Sequence, residues 1–288
     1  MFQCLVASNT DTLQAASNAV SISGIYGTWA FLPVTDGTYI RSRPSDALSA
    51  GKKLNGLAHL SSNVAEESFV FVPQTIDSKA RLETWIHRTF PLFFNDDITA
   101  LHTYYPYQDA SSTLKFATSG DAGASALGTS ATATGYQQLA NLIYAESTFI
   151  CPSYWLASAY GNRGYKMSFS VPIALHGYDG IALFGTAGLP TFPESLTSLL
   201  QRIVGTFVAT GSMHWPAFTA PEWPMLNVNV TGGRAVPVEN PFDAGVNGVG
   251  AEWMVGMGLE GYGRVVDGRG WEAGRGERCG FWRDMTRL

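Results

Sequence analysis

The chain has 288 residues, of which 45% are hydrophobic and 14% charged, and its formal net charge is −5 at pH 7. This composition is typical of a folded protein with one large domain or two small ones, and it excludes a disordered chain. No region collects enough lysine and arginine to neutralise a phosphate backbone, so nucleic acid is not an expected partner. No apolar run is long enough to predict a membrane span.

The first half of the chain predicts several helices and one strand. The polar-to-apolar pattern predicts a helix at 10–20, a short helix that ends near Gly51, and a strand within 54–63. The next two predicted helices occupy 78–90 and 96–104, the second ending before Pro106.

The second half alternates loop, helix and strand. Residues 118–135 are small and polar and predict a long flexible loop. A helix follows at 137–159, with a break near Cys151 and Pro152. Strict alternation over 165–171 predicts a strand with Lys166 on the face opposite its apolar residues, and this strand leads to His176. The helix at 196–208 has the most regular apolar stripe, from Leu196 to Val208, and we expect all of that stripe to be core.

The composition of the sequence changes near residue 244. Residues 244–288 are rich in glycine and arginine and have no sustained helical or strand period. We therefore expect one main domain at 1–243 and a poorly ordered tail at 244–288. The mixture of strands and helices in the main domain predicts the α/β class.

The three cysteines, Cys4, Cys151 and Cys279, predict neither a disulfide framework nor a metal site. The chain contains no C-x-x-C pair, and no histidine lies at ligand spacing from a cysteine. An odd number leaves open a thiol whose partner lies outside this chain. We expect no metal and no cofactor.

His176 and the pair Glu66–Glu67 are the residues with the strongest chemical interest. A histidine where a strand meets a loop is well placed to act as a general base, because loops after strands carry the sites of α/β sheets. Such a base needs a carboxylate to orient it. Two adjacent acids directly after an apolar strand supply candidates, although a turn histidine and exposed glutamates are the simpler interpretation of each alone.

Five segments, in this order, resemble the type-B carboxylesterases, the family of fungal lipases and cholinesterases. They are "FLPVTDG", "RPSDALSAGK", "SSNVAEESFVF", "HGYDGIALF" and "HWPAFT". The resemblance implies the C-terminal part of an α/β-hydrolase fold, with an incomplete mixed sheet flanked by helices. It covers roughly residues 1–230, with "ERCGFWRDM" again similar near the end.

The resemblance implies roles for two residues. Glu67 takes the place of the catalytic acid, four residues before Phe71, and His176 takes the place of the catalytic histidine. Ser68 stands where the family has glycine. Cys4 is similar to a cysteine that pairs, in fungal members, with one further upstream.

A nucleophile and its oxyanion loop are missing from this sequence. No Gly-x-Ser-x-Gly elbow is present, and the nearest approaches, "GASAL" and "GTSAT", lie in the predicted loop. The first hypothesis is therefore a Ser-Glu-His carboxylic ester hydrolase whose serine lies outside this chain. Its substrate would be an ester or lipid small molecule, and its partner an upstream half of the same domain.

Two alternatives stay open. The first is a non-catalytic, cholinesterase-like binding or interaction protein that keeps the scaffold without a complete triad. The second is a hydrolase that uses another serine, such as Ser68. No signal peptide is recognisable in "MFQCLVASNTDTLQ", so the location of this chain is not predicted. The resemblance implies that the complete protein is secreted.

Overall fold

The computed structural model describes most of the chain. It covers residues 2–51, 55–73, 75–107, 135–171, 174–185, 192–219, 223–229, 234–237, 252–255 and 263–285. The predicted loop at 118–135 lies outside these residues, apart from Gly135.

A four-stranded mixed sheet forms the centre of the molecule. Its strand order is β1-β2-β3-β6, with β1, β2 and β3 parallel and β6 antiparallel to β3. A separate antiparallel pair joins β4 and β5. The strands are β1 (His59–Val64), β2 (Gly164–Phe169), β3 (Pro224–Val228), β4 (Arg234–Pro237), β5 (Glu252–Val255) and β6 (Gly263–Asp267).

Helices cover both faces of this sheet, as parallel strands require. The helices of the described residues, in chain order, are α1 (Phe2–Ala7), α2 (Thr10–Ser23), α3 (Pro44–Ser49), α4 (Lys79–Thr89), α5 (Asn95–Tyr104), α6 (Tyr136–Ala145), α7 (Cys151–Ala159), α8 (Tyr178–Phe184), α9 (Glu194–Thr210) and α10 (Trp271–Asp284). A π-helix, Glu146–Ile150, joins α6 to α7, and a 3₁₀ turn, Gly161–Arg163, precedes β2. None of the helices in the described ranges is long and apolar enough to cross a membrane.

The apolar stripe of α9 is only partly core, which corrects the sequence prediction. Leu196, Leu200 and Ile203 are buried against the sheet and α8, whereas Val208 is 78% exposed. At about 100° per residue, Val208 lies about 120° around the helix from Leu196, at the margin of the stripe. The seven apolar residues therefore cover a wider arc of the helix surface than the arc that packs against the sheet and α8.

The polar face of β2 is buried as deeply as its apolar face. Lys166 is fully buried, and its ammonium group donates to Asn63 Oδ1 at 2.5 Å and to the Met167 carbonyl at 2.6 Å. Ser170 donates to Asn227 Oδ1 at 2.6 Å on the same face. Helix α7 covers this face and places the Tyr154 ring 4.9 Å from the Lys166 ammonium. The alternation in the sequence therefore separates two buried faces, one apolar and one hydrogen-bonded.

Part of the predicted poorly ordered tail is a packed helix, so that prediction is wrong for residues 271–284. Trp282 of α10 is fully buried, and Cys279 forms a disulfide with Cys151, which also corrects the prediction that the cysteines form none. The helix escaped detection because its glycines weaken the helical propensity. Its buried arginines, Arg275 and Arg278, also break the apolar period. Cys4 is free and exposed.

The carboxylate of Glu146 is the counter-charge that allows these two arginines to be buried. Arg278 contacts the fully buried Glu146 through Nε at 2.7 Å and Nη2 at 2.8 Å, and Arg275 Nε lies 3.3 Å from the same carboxylate. The Tyr105 hydroxyl donates to Glu146 at 2.6 Å and accepts from Trp282 Nε1 at 2.6 Å. Burial raises the pKa of Glu146, but Arg278 and Arg275 more than offset this and hold the pKa below its ordinary value.

Glu146→Gln is expected to lower the free energy of unfolding by about 3–5 kcal/mol, because it leaves the buried Arg278 without a counter-charge. The native pKa of Glu146 is lowered, so its contribution is present above the ordinary value of 4.5 and is lost as the pH falls through the native pKa. Denaturant titration at neutral pH measures the change. Glu277→Gln is the control, because its pair with Arg269 is exposed and worth about 0–1 kcal/mol. Equal effects of the two variants would contradict the assignment.

The N-terminal segment leaves apolar side chains in contact with solvent. Neither α1 nor α2 contains a buried residue, and Phe2, Ile22, Phe31 and Val34 are all exposed. Among the described residues, β1 is also an edge strand, since β2 is its only neighbour. Exposed apolar surface and an open strand edge both recruit other chains.

We therefore predict that the 288-residue chain alone self-associates. Size-exclusion chromatography with light scattering is expected to show oligomers or aggregates. Phe31→Lys combined with Val34→Lys is expected to lower the associated fraction, because it interrupts the exposed apolar segment. Leu57→Lys, at an exposed apolar side chain outside that segment, is the control. A monodisperse wild-type monomer with a cooperative thermal transition would overturn the prediction.

Candidate active site

Glu67 and His176 lie at the same edge of the sheet. Glu67 follows the carboxyl end of β1 and His176 follows that of β2, and these strands are parallel neighbours. Backbone hydrogen bonds keep the two loops side by side: the Ala65 amide donates to the Phe169 carbonyl at 2.9 Å, and the Glu66 amide donates to that of Ala174 at 2.9 Å. The two candidate residues are therefore placed by the sheet itself.

The two side chains are in direct contact. His176 Nδ1 lies 2.6 Å from Glu67 Oε2, which is a short hydrogen bond between an imidazole and a carboxylate. The other carboxylate oxygen, Oε1, accepts from the Val64 amide at 2.8 Å. Glu67 is thus fixed by its own strand, and its side chain is only 8% exposed, whereas that of His176 is 41% exposed.

The turn at His176 opens the ring toward solvent. Gly177 has φ of 87°, in the left-handed region that glycine adopts without strain, and α8 begins at the next residue. In the neutral imidazole, with Nδ1–H donating to Glu67, Nε2 carries the lone pair and can accept a proton. This is the arrangement of a general base held by a buried carboxylate.

Electrostatics favours the protonated form of this imidazole. The hydrogen bond that Nδ1–H donates to Glu67 is the largest cause and raises the pKa of His176, while partial burial lowers it. The charges of Glu67 and Asp179 add to the increase. Asp179 is itself partly buried, and this burial raises the pKa of its carboxyl group.

An aromatic wall lies beside the imidazole. We use this name for Trp29, Phe71, Tyr144 and Phe149, which come from three separate segments: the N-terminal segment, the loop after β1 and the helix that runs from α6 into the π-helix. The Phe149 ring lies 4.8 Å from the His176 ring, and the Phe71 ring lies 5.0 Å from it. The Trp29 ring lies 5.4 Å from the Phe71 ring at an interplanar angle of 50°, and the Tyr144 hydroxyl donates to the Gly27 carbonyl. The sequence predicted only Phe71 near the site, because no local pattern connects the other three.

Glu66 and Ser68, the other residues considered near Glu67, are not placed as reactive groups. Glu66 is buried, and its backbone forms an isolated parallel bridge with Leu175. Ser68 is 3% exposed, and its carbonyl accepts from the amides of Phe71 and Val72. A hydroxyl buried in this way is inaccessible to a substrate, which argues against Ser68 as the nucleophile. Within the described ranges, no group of three or more His, Cys, Asp or Glu side chains is arranged to hold a metal ion.

The fold and this site define the class of the protein. The crystal structure of Aspergillus niger EstA matches 99% of this chain with a TM-score of 0.61, at 18% sequence identity, and the match covers 51% of that chain. The mixed sheet with flanking helices is therefore part of an α/β-hydrolase fold, as the sequence predicted.

Two relatives with similar sequences are both named carboxylesterases. Carboxylesterase patB of Aspergillus clavatus is 28% identical over 192 residues, and carboxylesterase patB of Penicillium expansum is 24% identical over 205 residues. Each match covers 65% of this chain and 31% of the relative, so the chain spans about a third of their length. The resemblance to type-B carboxylesterases is confirmed over that part of the chain. No protein-family model matches the sequence.

Glu67→Gln is expected to lower the pKa of His176 below its ordinary value of 6.5. Removing the carboxylate eliminates the largest cause of the increase and leaves partial burial, which lowers the pKa. Titration of the imidazole signals by NMR measures both values. Asp179→Asn is the matched control, and a smaller decrease is expected because only its charge contributes. A wild-type value below 6.5 would contradict the observed pairing.

Proposed function

We propose that this chain supplies the acid and the base of a carboxylic ester hydrolase of the Ser-Glu-His type, with a nucleophile from residues outside this chain. The contact of 2.6 Å between Glu67 and His176 carries the proposal. The similarity to proteins named carboxylesterase supports it. The proposal also explains why an exposed imidazole is paired with a buried carboxylate.

The proposed chemistry follows from the two nitrogens of the imidazole. Nε2 accepts the proton of a serine hydroxyl as its oxygen attacks the ester carbonyl, and it returns that proton to the leaving alcohol. Water then attacks the acyl-enzyme by the same route and releases the acid. Glu67 stays ionised throughout, keeps Nδ1–H in place and stabilises the imidazolium.

The aromatic wall supports an ester with an apolar group as the substrate. Phe71 and Phe149 present ring surface beside the base, which favours contact with an acyl chain, an aryl group or a lipid tail. The same rings exclude water from one side of His176. We propose an ester or lipid small molecule on this basis.

The disulfide bears on the location of the complete protein. A bond such as Cys151–Cys279 persists in oxidising compartments and is rare in the cytosol. It supports the proposal that the complete protein is secreted.

The activity test compares this chain with a chimera. The chain alone is expected to hydrolyse a p-nitrophenyl ester at the background rate, because no Gly-x-Ser-x-Gly elbow is present in its sequence. The upstream part of the Aspergillus clavatus relative, joined to this chain, is expected to give a hydrolase that a serine-directed phosphonate inactivates. His176→Asn or Glu67→Gln in the chimera is expected to reduce kcat by about 10³-fold or more.

Three results would count against the proposal. Phosphonate-sensitive turnover by the chain alone would place the nucleophile within these residues. Hydrolysis by the chimera that survives the loss of His176 would remove the assigned base. A chimera that is monomeric, has a cooperative thermal transition and lacks activity would favour a non-catalytic, cholinesterase-like binding protein instead.

A further inference from the structure

We propose that the C-terminal helix α10 sets the orientation of the His176 imidazole, and that Phe149 is the positioning residue through which it acts. The importance of that orientation rests on the proposed function, because it makes His176 the base. The coupling itself is a physical property of this chain and is testable without catalysis.

The π-helix between α6 and α7 is the element that connects α10 to the His176 imidazole. It spans Glu146–Ile150 and interrupts a helix that otherwise runs from residue 136 to residue 159. Wide turns of this kind are rare and cluster at functional sites. Phe149 lies within it, and its ring is 4.8 Å from the His176 ring and 5.3 Å from that of Phe71.

Two cross-links from α10 hold the two ends of this π-helix. Arg278 binds the carboxylate of Glu146, its first residue, through two nitrogens at 2.7 and 2.8 Å. The adjacent Cys279 is disulfide-bonded to Cys151, the residue directly after the π-helix. Consecutive residues of one helix therefore fix both ends of a five-residue segment. A carboxylate that is fully buried and paired twice is a strong anchor.

The orientation of His176 depends on its contacts with neighbouring aromatic rings, because Glu67 restrains only one side of the imidazole. The bond at Nδ1 leaves rotation about the side-chain torsions to be limited by packing, and the side chain is 41% exposed. Phe71 approaches the ring at an interplanar angle of 77° and Phe149 at 43°. These two rings define the plane of the imidazole and hence the direction of Nε2. If α10 loosens, Phe149 loses its anchor and the imidazole gains freedom and exposure.

The test measures the acylation rate of His176 by diethyl pyrocarbonate in the full chain. A neutral imidazole nitrogen attacks one carbonyl, gains an ethoxycarbonyl group and releases ethyl carbonate, which decomposes to ethanol and carbon dioxide. Peptide mass spectrometry gives the rate at each histidine, with the exposed His87 and His214 as internal references. The rates are compared over a pH series, because the raised pKa of His176 shifts the pH at which its neutral form predominates relative to the reference histidines.

Phe149→Ala is expected to raise the acylation rate of His176 by up to about twofold, because full exposure of a side chain that is 41% exposed sets the upper limit and Phe71 stays in place. Cys279→Ser is expected to give the same increase with Phe149 still present. The double variant is expected to be no faster than either single one, because both act through the same contact. Phe149→Tyr, which keeps the ring, and Glu277→Gln, on the exposed side of α10, are the matched controls and are expected to match the wild type.

Unchanged acylation in a folded Phe149→Ala chain would overturn the positioning role of Phe149. Unchanged acylation in a folded Cys279→Ser chain, or additive effects in the double variant, would overturn the role of α10. If the serine variant does not fold, the double variant Cys151→Ala/Cys279→Ala provides the same comparison, because it removes the fully buried disulfide without leaving a buried hydroxyl or an unpaired thiol. None of these rates depends on ester hydrolysis, so an inactive chimera would refute the proposed function alone.

Discussion

In the register of β1 and β2, Val64 lies beside Phe169, so the chain leaves both strands at the same level of the sheet. The candidate site depends on this parallel pairing. The two loops that follow are joined by backbone hydrogen bonds before either side chain is considered. Glu67 then needs only its amide contact from Val64 to point at His176. Carboxylate and imidazole are 109 residues apart in sequence, and two neighbouring strands bring them together.

A second constraint acts from the opposite side of the site. The fully buried Glu146 has to be neutralised, and the arginines of α10 are what neutralise it. Their burial brings α10 against the helix that runs from α6 to α7, and the disulfide fixes it there. Three of the four rings of the aromatic wall lie on that helix and on the loop after β1. The base of the proposed hydrolase is thus held by a strand pair on one side and by a buried charge cluster on the other.

The sequence predicted those features whose signal is local. The helix stripes of α4, α5 and α9, the alternation of β2 and the acid and histidine segments all lie within short windows, and they locate the elements and the site residues. The helix α10 was missed because its buried arginines resemble a solvated surface until Glu146 is known to face them. Trp29 and Phe149 were missed for the same reason, since only the folded chain brings them to His176. Burial of Lys166 likewise depends on Asn63 from another strand.

The position of α10 in the chain has a consequence for the order of events during synthesis. The disulfide joins residues 128 positions apart, and Glu146 meets its arginines across a similar distance. Contacts between residues so distant in sequence form slowly and late. Until the ribosome has added Arg275 and Arg278, the Glu146 carboxylate lacks the counter-charges of α10, and until it has added Cys279 the disulfide that follows the π-helix cannot form. Strands β1 and β2 are both complete by residue 169, about a hundred residues before α10, so they can pair before α10 is available. A chain that ended before Arg275 would therefore keep this strand pair but lack the contacts that orient the imidazole.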